Sequence, residues 1–173
     1  MCIRDSLYNA NNTPFKSTST NENPNSKDFP KEMGYSLYDN NRSTRIYELI
    51  ESYEKIDFSD FKSIKFDYKY PTPFTFNFVD VNEIMEMNPD DYPDISDLII
   101  EIQNWDRSTS SDSLGAGIFA IFYYNLGKYI RKPYINRNLS KNLIAQMLRD
   151  VKAYMVKHFN KTNVRLGEYQ KLV

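Results

Sequence analysis

Apolar positions along the chain repeat mostly at helical spacing. Asn41-Arg42-Ser43-Thr44 reads as a helix start, and Ile46, Leu49, Ile50 and Tyr53 follow on one face, which predicts an amphipathic helix over about 43–55. A second helix is expected over about 60–67, with Ser59 as its N-cap and Phe61, Ile64 and Lys65 behind it. Tyr70-Pro71-Thr72-Pro73 ends it, because proline disfavours helix at the residue before it. Phe74 to Phe78 (FTFNF) alternates as a short strand would, or leads as a loop into the next helix. That helix is capped by Asp80 and runs through Met87 to Asn88-Pro89. Asp94 or Ser96 opens another, with Ile95, Leu98, Ile99, Ile102 and Trp105 on one face. Ser113 opens a helix to about Arg131, and Gly115, Ala116 and Gly117 let another backbone pack closely on its first turns. Leu139-Ser140 caps a long helix to Phe159, with Leu143, Met147, Val151, Tyr154 and Met155 on one face, and Gly167 sits in a final partial helix. The fold class is mainly α, with five to six helices, at most one short strand and a long N-terminal loop.

The loop covers residues 7–40, rich in Asn, Thr, Ser and Pro, with a short turn over Lys27 to Met33 before Gly34. Residues 1–6 (MCIRDS) have no apolar run or cleavage site, so they are not a signal peptide. They resemble translated adapter sequence and are set apart as non-native, Cys2 with them. Both ends look cut, and the chain is expected to be a fragment. The longest apolar stretch, Ile118 to Leu126, is too short for a membrane span.

Composition narrows the chemistry. The 22 Lys and Arg against 23 Asp and Glu leave a net charge of -1, which argues against nucleic acid as a partner. One Cys and one His exclude a disulfide framework, a thiolate zinc site and a multi-histidine metal site. Five Gly do not supply a phosphate-cradling loop. His158 reads as a cation near a helix C-terminus, with no nucleophile or orienting acid indicated nearby. Asn88 to Asp94 (NPDDYPD) lacks the alternation, central Gly and terminal Glu of a calcium loop, and reads as solvated. Trp105-Asp106 could stack a ligand, but a core Trp at a helix end is the simpler reading. Asn9, Asn11 and Asn12 read on their own as turn formers. An Asn amide can also donate to a developing oxyanion when its surroundings hold it in place, and Asn-Thr-Pro restricts the chain just after Asn12.

Five segments in order carry a resemblance: NANNTPF, GYSLYDNNRSTRIYELIES, DFSDFKSIKFDYKYP, NWDRSTSSDSLGAGIF and HFNKTNVRLGEYQKLV. From about Leu7 to Val173 the chain resembles the penicillin acylase (penicillin amidase) family of N-terminal-nucleophile hydrolases. It is most similar to the acyl-homoserine-lactone, aculeacin and cephalosporin acylase branch.

The resemblance implies an αββα parent fold. It implies a nucleophilic Ser at the N-terminus of a β chain, released by self-cleavage, with its own α-amino group as base. It implies a small-molecule amide substrate: a β-lactam side chain, an acyl-homoserine lactone or a lipopeptide acyl group. The oxyanion-stabilising Asn lies in the motif matched by NANNTPF. Asn11 is the choice for it and Asn12 the runner-up. The family's site-organising Arg is matched by Arg42. The domain reading is then 1–6 non-native, 7–40 oxyanion-type loop region and 41–173 helical segment of an acylase β chain. Its partners would be the α chain and the remainder of the β chain of the same precursor, with no nucleic acid and no membrane span. No cofactor is expected in this segment, although family members often bind a structural calcium elsewhere.

Family resemblance alone implies a periplasmic or extracellular location. The chain departs from the pattern at Ala10, where Cys is frequent, and at Leu166, where Trp is common before the Gly. No Ser here follows a cleavage site, so the chain by itself is expected to be inactive. The rival from another class is a non-enzymatic helical interaction module.

Overall fold

The helical periodicity becomes six α-helices in the computed structural model, which describes residues 8–18, 23–37, 39–72, 81–129 and 139–171. The fold is mainly α. The alternating stretch 74–78 lies outside the described residues. Among those described, β pairing is limited to isolated bridge residues at Lys69 and Ser108. The chain divides into two units, Met1–Asn77 and Phe78–Val173.

In the first unit, two short 3-10 helices, Ser26–Asp28 and Lys31–Met33, form the turn before Gly34. Gly34 closes the second at φ 70°, where a Cβ would be strained. Helix α1 spans Asn41–Glu51. Its cap is reciprocal: Asn40 Oδ1 accepts from Ser43 N at 2.9 Å, and Ser43 Oγ accepts from Asn40 N at 3.3 Å. The apolar stripe of α1 is only half-buried, and Ser43 is its one buried residue. Helix α2 spans Phe58–Lys65. Asp57 caps it instead of the expected Ser59, and Asp57 and Asp60 exchange bonds of 2.8 and 3.1 Å. A carboxylate two residues upstream is as good a cap and also favours the helix N-terminus electrostatically.

In the second unit, the helix expected through Met87 is instead a 3-10 turn, Asn82–Glu86, and Asp80 lies outside the described residues. Pro89 forces the chain extended just before it, which leaves too little length for an α-helix. A second 3-10 turn, Pro89–Asp91, is capped by Asn88. The Gln103 side chain fastens the first turn by donating to the Met87 and Ile84 carbonyls at 2.7 and 3.1 Å.

Helix α3 spans Ser96–Gln103, and neither Asp94 nor Ser96 caps it through a side chain. Asp94 accepts from Arg149 instead, at 2.6 and 3.2 Å. Helix α4 spans Leu114–Tyr129, with Ser113 Oγ accepting from Ala116 N at 3.1 Å. Helix α5 spans Lys141–Phe159, capped by Ser140 and closed by Asn160 in the left-handed conformation at φ 56°. Helix α6 is the short Leu166–Tyr169.

Helix α4 packs against α3, α5 and α6. The core they share includes Ile95, Leu98, Ile99, Ile102, Phe122, Ile144, Met147, Leu148, Val151 and Met155, each 1% exposed or less. Each such side chain contributes roughly 1.5–3 kcal/mol on leaving water. Trp105 belongs to this core: its ring packs 5.3 Å from Phe119 and its Nε1 donates to the Ser108 carbonyl at 2.8 Å.

Close approach at the start of α4 depends on glycine. The segment after α5 pairs with the preceding loop through Leu166 N to Ser113 O at 3.0 Å and Gly167 N to Ser111 O at 2.8 Å. A Cβ on Gly117 would lie 2.1 Å from the Val164 carbonyl oxygen, a backbone atom with nowhere to turn. Gly117→Ala is therefore expected to destabilise by about 1–3 kcal/mol, although alanine is the better helix former. The midpoint of thermal unfolding measures this. A raised midpoint would show that Val164 is not held against α4.

Candidate active site

The candidate site residues Asn11, Asn12 and Arg42 fall in the first unit, where they come together. Loop 8–18 has no ladder to satisfy its backbone, so side chains must do it. Asn9 Oδ1 accepts from Asn11 N at 3.0 Å and Asn12 Oδ1 accepts from Ala10 N at 2.8 Å. The Asn12 Nδ2 donates to Thr13 O, Lys16 O and Ser17 Oγ at 3.1, 3.0 and 2.9 Å. Both ends of the Asn12 amide are thus spent inside the loop. Ala10 is buried, as a packing position would be.

Ser36, Asp39 and Asn40 hold this loop from outside. Thr13, 2% exposed, donates from Oγ1 to Ser36 O at 2.7 Å and from its N–H to Asp39 Oδ1 at 3.2 Å. Asp39 also pairs with Lys16 at 3.1 Å. Asn40 Nδ2 donates to the carbonyls of Ala10 and Asn11 at 3.1 and 2.8 Å. Burial pushes the Tyr8 hydroxyl up to about 12, assisted by the negative Asp39 and by Tyr47.

Asn11 differs from its neighbours. Its backbone is left-handed at φ 57°, which Asn tolerates better than most residues. Its side chain is exposed, and its Oδ1 accepts from Arg42 Nη2. Its Nδ2 makes no hydrogen bond among the described residues. The guanidinium only donates, so it selects the oxygen end of the amide and leaves the N–H end facing outward. Arg42 itself sits in the first turn of α1, where the helix dipole disfavours a cation. The structure thus unites Asn11, Arg42 and Asn12 within one loop-and-helix junction. An outward amide N–H beside a fixed positive charge can donate to a developing oxyanion.

Sequence reasoning missed Asn40, Asp39 and Thr13. The N-x-x-S spacing of Asn40 and Ser43 signals a helix cap, but nothing in the sequence shows that the same amide reaches back to Asn11. Among the described residues, no three of His, Cys, Asp and Glu are placed to hold a metal ion.

The His158 ring lies 4.3 Å from that of Tyr154 near the end of α5. In the second unit a surface cleft of about 590 Å³ is lined by Ser111, Asp112, Lys161, Asn163, Arg165 and Glu168. Its charges are paired, Lys161 with Glu168 at 2.7 Å and Arg165 with Asp112 at 3.4 Å. No helix of the described residues is long and apolar enough to cross a membrane.

Comparison with protein families gives the class: the chain carries a domain of the acylase and amidohydrolase type. The family model described as penicillin amidase matches residues 3–172, and the chain belongs to that family. No curated protein and no solved structure was found to match.

The helix bearing Arg42 is braced one turn on. Arg45 meets Asp67 through two bonds of 2.9 Å and Glu48 through one of 3.1 Å. Arg45 holds the Asp67 carboxyl below the usual carboxylate range. A depressed pKa in the folded state gives stability that is present above the ordinary carboxylate value and lost as pH falls through the folded one. Asp67→Asn is expected to cost roughly 1–2 kcal/mol at neutral pH and to flatten the acid limb of the stability curve. Hydrogen exchange of the α1 amides against pH measures both, and a parallel acid limb in the variant would remove the pair from this role.

Proposed function

We propose that this chain is a β-chain segment of a penicillin-acylase-like amidohydrolase. On this reading Asn11 is the oxyanion donor and Arg42 organises it. The observation that carries the reading is the division of labour between two adjacent amides. Asn12 spends its amide on the loop, whereas Asn11 gives Oδ1 to Arg42 and keeps Nδ2 outward. Asn12 accordingly remains the runner-up.

The reaction would follow the nucleophile chemistry of the family. A Ser Oγ–H, supplied by a part of the precursor outside this chain, attacks the amide carbonyl carbon and passes its proton to its own α-amine. The carbonyl oxygen becomes an oxyanion, and Asn11 Nδ2–H donates to it. Collapse breaks the C–N bond, and the proton leaves with the amine. Water then attacks the acyl-enzyme ester, releases the carboxylic acid and restores the Ser hydroxyl. A linear, non-peptide amide is the proposed substrate class, with a β-lactam side chain, an acyl-homoserine lactone and a lipopeptide acyl group as the candidates. Export to the periplasm or beyond the cell belongs to the same proposal.

Asn11→Ala in the full-length precursor is expected to lower kcat on a chromogenic amide by about 10²–10³-fold, with precursor folding largely intact. Asn12→Ala is expected to act chiefly on loop stability. Unchanged turnover in Asn11→Ala would remove Asn11 from the site.

Exposed aromatics support dependence on further chain. Phe58, Phe61, Phe66 and Tyr68 are 82%, 56%, 62% and 59% exposed, grouped on α2 and the turn after it. Such a group suits a surface that another segment covers. The isolated 173-residue chain is therefore expected to self-associate in light scattering. A monomer that melts cooperatively would favour the non-enzymatic module instead.

A further inference from the structure

We infer that Asn40 is a positioning residue for the amide-hydrolysing site, acting through Asn11. The inference rests on the reading of Asn11 as oxyanion donor. Three observations lead to it. First, Asn40 uses both ends of its amide. Oδ1 caps α1 through Ser43 N at 2.9 Å, and Nδ2 reaches the carbonyls of Ala10 and Asn11 at 3.1 and 2.8 Å. Second, Arg42 lies two residues along the helix that Asn40 caps, and it holds the Asn11 side chain. Asn40 therefore fixes the distance between the backbone of Asn11 and the guanidinium that orients its amide. Third, Asn11 is held in the left-handed region at φ 57° with an exposed side chain. Its own packing contributes little to that conformation, so the hydrogen bonds to its peptide group must supply the restraint. One amide thus links helix start, loop backbone and donor orientation.

The two functions of the amide can be separated. Ser is as good an N-cap as Asn, but its hydroxyl is too short to reach both loop carbonyls while capping. Asn40→Ser should therefore keep the helix and release the loop. The test uses the full-length precursor, a chromogenic amide and kcat normalised to active sites by acyl-enzyme burst titration. Asn40→Ser is expected to lose between about tenfold and a hundredfold in kcat, with KM and the thermal midpoint close to wild type. In an Asn11→Ala background the same substitution should have no further effect on kcat, because the group it positions is gone.

Wild-type kcat in Asn40→Ser, alongside a large loss in Asn11→Ala, would overturn the positioning role and leave the site reading standing. An equal loss in both backgrounds would also overturn it, since Asn40 would then act by another route. Wild-type kcat in Asn11→Ala would overturn the site reading itself. Where Asn40→Ser does not accumulate as folded enzyme, Asn40→Asp, the other strong cap, is held to the same criteria.

Discussion

The junction between loop 8–18 and the start of α1 depends on the side chain of Asn40. Its amide satisfies an orphan N–H of the helix and two carbonyls of a loop that has no ladder of its own. The loop's other contacts with that region are Thr13 with Ser36 and Asp39, Lys16 with Asp39, Arg42 with the Asn11 side chain and the Tyr8 ring with Tyr47, and none of these reaches the backbone of Asn11. The constraint is geometric more than energetic: a single neutral hydrogen bond is worth about 1 kcal/mol net, yet three from one planar group fix an orientation. The abundance of Asn in this region follows. An irregular backbone must be paired, and Asn9, Asn12, Asn23 and Asn40 each pair part of it.

The second unit solves a different problem. It buries long apolar faces of α3, α4 and α5, which pack against one another through α4. Its surface ion pairs are exposed, as Arg149 with Asp94 and Lys152 with Asp97, so they set geometry and add little net stability. What limits it is space. Gly117 admits the Val164 carbonyl, and Gly115 admits the Trp105 side chain at 2.4 Å from its would-be Cβ. Two of the chain's five glycines thus stand where backbone or ring must approach a helix.

Much of this was legible in the sequence. Helices α1, α3 and α5 follow from apolar spacing, and the starts of α4 and α5 from Ser113 and Ser140, because caps are local chemistry. Asp57 displaced Ser59 as the cap of α2 because the two are near-equivalent caps, and only tertiary context chooses between them. The turn Asn82–Glu86 looks like an α-helix in the sequence because a 3-10 turn has nearly the same apolar spacing over five residues. Of the candidate site, the residue types were legible and their grouping was not. Asn11 and Arg42 are thirty-one residues apart, and the bonds through Asn40 span twenty-nine and thirty. Local pattern carries no information at that range.

Local rules also fail here in a consistent direction. Arg42 stands at the helix end that repels it, and Asn11 takes a backbone conformation that most residues avoid. Each departure costs a fraction of a kcal/mol or more, and neither is repaid by burial, since both side chains are exposed. What the two departures achieve together is an amide whose oxygen faces a permanent cation and whose N–H faces outward. Hydrogen bonding at the oxygen draws electron density from the nitrogen and strengthens the N–H as a donor. A purely structural loop would gain nothing from that polarisation, and Asn12 beside it, in an ordinary conformation, turns both amide ends inward. The proposed oxyanion role accounts for both costs with one cause, because a donor that stabilises developing charge must be oriented before the charge appears.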